Sequence, residues 1–202
     1  IHLACYSRPD IAFEVTTLCK YNSKPGKQHW SALKQLVRFL IYTIEDTLKL
    51  GGLKPMELVG YADSGFASDL DSGRSPGGFV FFLGESLIAH KSQWFSSVYP
   101  SSTETELAAL YLCVSMAVWL RKLMVSFGYA MNGPIRIKED NQGAIKYSKS
   151  LERSGRMKHI DVKFHWIREK IGDETVKIEF VSSSENVADI MTKALPPTVF
   201  KR

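Results

Sequence analysis

Leu58-Val59-Gly60-Tyr61-Ala62-Asp63, followed after a polar loop by Phe79-Val80-Phe81-Phe82-Leu83 and Leu87-Ile88-Ala89-His90, is the stretch that decides the fold. The first run is short and apolar and closes on an acid, as a strand entering a loop does. Ser64 to Gly77 is rich in Asp, Ser, Gly and Arg and reads as that loop. Gly84-Glu85-Ser86 between the other two runs is a hairpin signature, so they pair as antiparallel strands.

Downstream the texture alternates. Ser101-Ser102-Thr103 supplies N-cap candidates for a long helix with the stripe Leu107, Leu110, Tyr111, Val114 and Val118. Pro134 precedes a strand, Ile135 to Lys138, that ends at Glu139-Asp140. A short helix from Gln142 to Lys149 and a longer one from about Ile160 to Ile171 come next. Val176 to Val181 alternates as a final strand, and Ser182-Ser183-Ser184 predicts a cap for a last helix carrying Val187, Ile190 and Met191. Three antiparallel strands followed by two helix-linked ones predict an α/β architecture, a mixed five-stranded sheet with helices on its faces.

Upstream, Arg8-Pro9-Asp10 opens a helix with Ile11, Val15 and Leu18 in phase, and Ser23-Lys24-Pro25-Gly26-Lys27 interrupts it. A second helix carries Trp30, Leu33, Leu36, Val37, Leu40 and Ile41, with Lys34 and Arg38 off the stripe. The expected division is a helical hairpin over 1–50 and an α/β unit over 51–202.

Composition sets limits. The 202 residues are 45% hydrophobic and 23% charged, which excludes collagen, wholesale disorder and a coiled-coil rod. No stretch approaches about 18 unbroken apolar residues, so no membrane-spanning helix and no membrane partner are expected. Cys5, Cys19 and Cys113 fit neither a disulfide framework nor a zinc knuckle, which favours a reducing compartment, cytoplasmic or nuclear. A net charge of +5 is compatible with a polyanionic partner. The sequence opens on Ile1 without a signal peptide, as though cut from something longer.

Four acids stand at equivalent places. Asp63 and Asp140 end strands, while Glu106 and Asp189 lie in the first turns of expected helices. Strand ends and helix starts converge on one edge of such a fold. Carboxylates gathered there repel unless cations intervene, and an all-oxygen ligand set suits Mg²⁺ or Mn²⁺. Two such ions can clamp the attacking and leaving oxygens of a phosphoryl displacement. The competing reading is structural, because acids are favoured at helix starts and in turns.

These residues sit in motifs. Tyr61-Ala62-Asp63-Ser64, Asp69 to Ser75, Gly78-Phe79-Val80-Phe81, Ser101 to Leu110, Asp140-Asn141-Gln142-Gly143-Ala144-Ile145, Lys158 to Glu169 and Ala188 to Pro196 resemble the ribonuclease H domain of copia-type retrotransposon Pol polyproteins. Ser7-Arg8-Pro9-Asp10-Ile11-Ala12-Phe13 resembles the segment that follows the polymerase palm. The resemblance implies a ribonuclease H-like sheet, a thumb or connection remnant over 1–50, and hydrolysis of the RNA strand of RNA–DNA hybrids with two Mg²⁺ or Mn²⁺ ions. It implies an Asp63, Glu106, Asp140, Asp189 quartet that is both catalytic and metal-ligating, and an upstream reverse transcriptase palm and fingers as partner. Glu104 rivals Glu106. Thr105-Glu106-Leu107-x-Ala109 matches the motif around the catalytic Glu and decides for Glu106. Gly65-Phe66 and Gly78 depart from the usual pattern, which leaves a catalytically silent, retroelement-derived nucleic-acid-binding or scaffold module as the alternative. An integrase-type recombinase expects Asp, Asp, Glu in that order and does not fit.

Substrate contact is expected from Arg74, Lys91, Arg156 and Lys158 on phosphates and from Trp94 by stacking on a nucleotide, with RNA told from DNA by its 2′-hydroxyls. His159 is a candidate proton shuttle.

Overall fold

A computed structural model describes residues 1–150 and 161–195. Strands β1 (Leu58–Ser64), β2 (Pro76–Leu83), β3 (Ser86–Trp94), β4 (Ile135–Glu139) and β5 (Val176–Phe180) form one sheet in the order β3-β2-β1-β4-β5. The first three pair antiparallel, and β4 and β5 join parallel to β1. This is the mixed sheet that the sequence pattern predicts. Two strands run further than their apolar residues suggest. Gly77 and Gly78 extend β2 opposite Gln93 and Ser92, because ladder hydrogen bonds need no side chain.

One face of the sheet carries α4 (Ser102–Ser126), α5 (Gln142–Lys149) and α6 (Asp161–Gly172). Leu107, Leu110, Val114 and Ala117 pack on Ala62, Phe79, Phe81 and Ile137 in the main core, where each fully buried large apolar side chain contributes about 1.5–3 kcal/mol. The Ser101 hydroxyl caps α4 by accepting from the Glu104 N–H at 3.3 Å. Contrary to the sequence expectation, α4 is long and apolar enough by length and composition to cross a membrane, although polar residues interrupt its apolar run. Here it is the core helix, and Thr105 through Leu110 are all buried in protein.

The other face is covered at β1–β3 by α1 (His2–Tyr6), α2 (Ala12–Cys19) and a 3-10 turn, Val187–Met191. Ala12, Val80, Ala188 and Met191 form a small second core there. His90 Nε2 bonds the Ala4 carbonyl at 2.8 Å, and the Thr16 and Ser92 hydroxyls meet at 3.1 Å. α3 (Lys27–Tyr42) has no buried residue and leaves Trp30, Val37 and Ile41 exposed beside an apolar groove of about 490 Å³ shared with α1 and α2.

The final α-helix expected after Ser182 is instead two 3-10 turns, Ser183–Glu185 and Val187–Met191. Asn186 separates them with extended backbone at φ −76° and ψ 96°. Its side chain accepts from the Ala188 N–H at 3.2 Å and donates to the Ala62 carbonyl at 2.9 Å. That buried stitch to β1 outweighs the helix the periodicity favours.

Candidate metal centre

The parallel register fixes the heart of the site. Tyr61 stands beside Lys138, so two residues further along each strand Asp63 falls beside Asp140. The buried N-terminal turns of α4 bring Glu106 to the same end of the sheet. Ligand oxygens of Asp63, Glu106 and Asp140 all lie within 4.8 Å of one another. Asp63 is 2% exposed and Glu106 7%. Glu104, the rival, is half-buried near the start of α4, where its own N–H is taken by the Ser101 cap.

Asp189 comes from the opposite face, on the 3-10 turn stitched to Ala62. It is not one of the three mutually close acids. Its Oδ1 pairs with Lys193 Nζ at 2.7 Å, and the same ammonium is 3.9 Å from Asp63 Oδ2. The Thr192 hydroxyl donates to Asp63 Oδ2.

Electrostatics match this crowding. Burial pushes the Asp63 carboxyl up to about 7; Lys193 and the Thr192 hydrogen bond oppose the rise, and Asp189 and Asp140 add to it. Burial, then the charge of Asp63, pushes Glu106 up to about 9, with the Ser64 hydroxyl and then Lys193 opposing. Among the described residues Glu106 Oε2 is buried without a hydrogen-bond partner. A buried, unpartnered acceptor among close carboxyls suits a hard divalent cation, so the residues present fit the metal that the sequence reading expects.

Sequence reasoning missed Glu139, Asn186, Thr192 and Lys193. Glu139 is fully buried behind the cluster. Its Oε1 accepts from the Asn141 N–H at 3.1 Å, its Oε2 has no hydrogen-bond partner among the described residues, and burial followed by Glu106 raises its carboxyl well above the usual range. The Asn141 side chain in turn caps α5 by accepting from the Ala144 N–H at 2.9 Å, which fixes the turn that carries Asp140.

The expected substrate contacts separate. Arg74 is exposed in the β1–β2 loop and Lys91 is exposed on the edge strand β3. Trp94 is engaged within the molecule. Its indole N–H donates to Thr17 Oγ1 at 3.3 Å, Phe13 packs at 6.2 Å, and Lys20 Nζ sits 3.9 Å from its ring centroid. Arg156, Lys158 and His159 lie outside the described residues.

No family model matches the chain. The Pol polyprotein of transposon TNT 1-94 from Nicotiana tabacum is 36% identical over 195 residues, which is 96% of this chain and 14% of that polyprotein. The chain therefore spans about one seventh of that relative's length. The secreted RxLR effector protein 161 of Plasmopara viticola is 37% identical over 120 residues, covering 59% of this chain and 84% of the effector. Among solved structures, LC11-RNase H1, isolated from compost, superposes with a TM-score of 0.51 at 13% identity, over 68% of this chain and 93% of that one. That likeness gives the ribonuclease H fold.

Proposed function

Since this chain belongs to the copia-type retrotransposon Pol family, as its ribonuclease H domain, we propose that it hydrolyses the RNA strand of RNA–DNA hybrids with the help of divalent metal. The observation that carries the reading is the buried Asp63, Glu106 and Asp140 group, close enough to share one ion, with Glu106 Oε2 lacking a hydrogen-bond partner among the described residues.

Asp63, Glu106 and Asp140 would hold Mg²⁺ or Mn²⁺. Such an ion supplies positive charge to a phosphodiester and makes water a better nucleophile. The protein supplies placement. β1, β4 and α4 fix the three carboxyl groups from separate elements of a packed core, so the site is preorganised. Glu139 and Asn141 hold the turn behind Asp140. Lys91 and Arg74, both exposed, are available to phosphates as the sequence reading expects. Asp189 adds negative charge beside Asp63. In an intact polyprotein the hybrid would come from the reverse transcriptase upstream.

The test is cleavage of a labelled hybrid by the purified chain with Mg²⁺ or Mn²⁺. Asp63→Asn should abolish cleavage, a loss of at least about 100-fold, since removing one preorganised electrostatic group typically costs that much. Cleavage that survives Asp63→Asn refutes the assignment. The second reading, a silent nucleic-acid-binding or scaffold module, is favoured by the effector relative, most of whose length aligns with this segment. It expects salt-dependent hybrid binding with no turnover.

A further inference from the structure

The acid cluster already contains a cation. Lys193 Nζ stands 2.7 Å from Asp189 Oδ1 and 3.9 Å from Asp63 Oδ2. We propose that this ammonium occupies the cation position between Asp63 and Asp189, leaving Asp63, Glu106 and Asp140 as the one position among the described residues open to a divalent ion in the free protein. The inference rests on the reading of these acids as a metal centre.

Three features separate Lys193 from an ordinary surface lysine. First, its backbone is tied down. The Thr192 and Lys193 N–H groups both donate to the Asp189 carbonyl, at 3.1 and 3.0 Å. Second, the neighbouring Thr192 is 1% exposed, and its hydroxyl donates to Asp63 Oδ2. The segment is therefore fixed to the acids at two points before the lysine side chain is counted. Third, the two ends of the cluster differ. Glu106 Oε2, on the three-acid side, is buried and lacks a hydrogen-bond partner among the described residues. Asp63 Oδ2, on the Asp189 side, is engaged by a hydroxyl and approached by an ammonium. Asp189 Oδ1 is likewise buried with no hydrogen-bond partner among the described residues, but the Lys193 ammonium stands 2.7 Å from it, whereas no ammonium stands that close to Glu106 Oε2.

Like-charge repulsion agrees: a second divalent ion beside the ammonium would contend with it for Asp63 Oδ2. A second ion would have to displace Lys193, whose side chain is 46% exposed and has solvent to move into. The sequence expectation of two ions thus becomes one ion plus a displaceable ammonium.

Calorimetric titration of the full chain with Mn²⁺ tests this without any turnover. The parent should bind one ion per chain, and Lys193→Met should bind two, with Lys193→Gln as the polar check on the same count. Folding of each variant is followed by circular dichroism. Two ions in the parent, or one in both folded variants, overturns the proposal while leaving the metal centre intact. The parent count stands alone should either variant fail to fold. No binding by the parent and by folded variants removes the metal reading itself, and the role of Lys193 with it.

Discussion

Glu179 lies between Lys138 Nζ at 2.8 Å and Lys177 Nζ at 3.0 Å on neighbouring parallel strands. The Lys138 hydrogen bond, with Lys177 adding, holds its carboxyl down at about 2. A carboxyl lowered by folding stabilises the protein above its unfolded value and loses that contribution as pH falls toward the folded one. The pair is partly exposed, so the contribution is under about 1 kcal/mol after solvent screening. Glu179→Gln should lower the melting temperature by a degree or two at pH 6 (about the shift that a loss of this size gives). The gap should close as pH drops from about 5 toward 2. Thermal melts of both proteins across that range check it, and an undiminished gap at low pH refutes it. The same strand pair shows what single residues disclose. Asp63 and Asp140 were legible because each follows directly on a strand-like run, apolar before Asp63 and alternating before Asp140. Glu139 was not, although strand parity could have found it: Ile135, Ile137 and Glu139 alternate onto one buried face. Lys193 gave no signal, because a lysine after a polar residue reads as solvated surface by default.

Between elements, Gly78 decides how closely the Asp189 turn approaches β1. It pairs with Asp63 across the ladder. A Cβ there would overlap Met191 Cβ and stand 2.6 Å from the Lys91 carbonyl oxygen. The second contact is backbone of an adjacent strand and cannot rotate away. Gly78→Ala should therefore cost about 1–3 kcal/mol, the usual range for overpacking. It should also lift the turn bearing Asp189, Thr192 and Lys193 off Asp63. Urea unfolding measures the first effect, and unchanged stability would mean that β3 or the turn yields freely. At this scale the sequence was informative wherever periodicity was local, as in α4 and the β2–β3 hairpin. It failed at the C-terminal turns. The apolar spacing of Val187, Ile190 and Met191 is helical, yet the deciding bond runs from Asn186 to Ala62, 124 residues away. No local pattern encodes a partner that distant.

Across the whole molecule, the proposed division at residue 50 meets a shared core. Ala12 from α2 packs with Val80, Ala188 and Met191 under the Asp189 turn. Lys20 ties α2 to Asp69 in the β1–β2 loop at 2.8 Å. Arg8 holds Asp10 at 2.6 Å and donates to the Thr43 hydroxyl at 2.6 Å, joining the start of the chain to the end of α3. A chain truncated to 51–202 should consequently melt below the parent and bind Mn²⁺ more weakly. Equal melting temperature and equal metal affinity would show that the α/β unit is autonomous and that the helices ride on it. The five-strand topology was readable because each strand announces itself. The seating of the hairpin was not, because its contacts to Ser92, Trp94 and Asp69 are polar pairs of residues far apart in the chain.

The sheet order has one more consequence. Its two outermost strands are β3 and β5. β3 displays Lys91 and is held by hydroxyls from α2, while β5 is only five residues long and carries Lys177 and Glu179. Charged, short or covered borders resist the edge-to-edge stacking by which sheets grow into fibrils. Neither border of this sheet should therefore template strand pairing with a second copy.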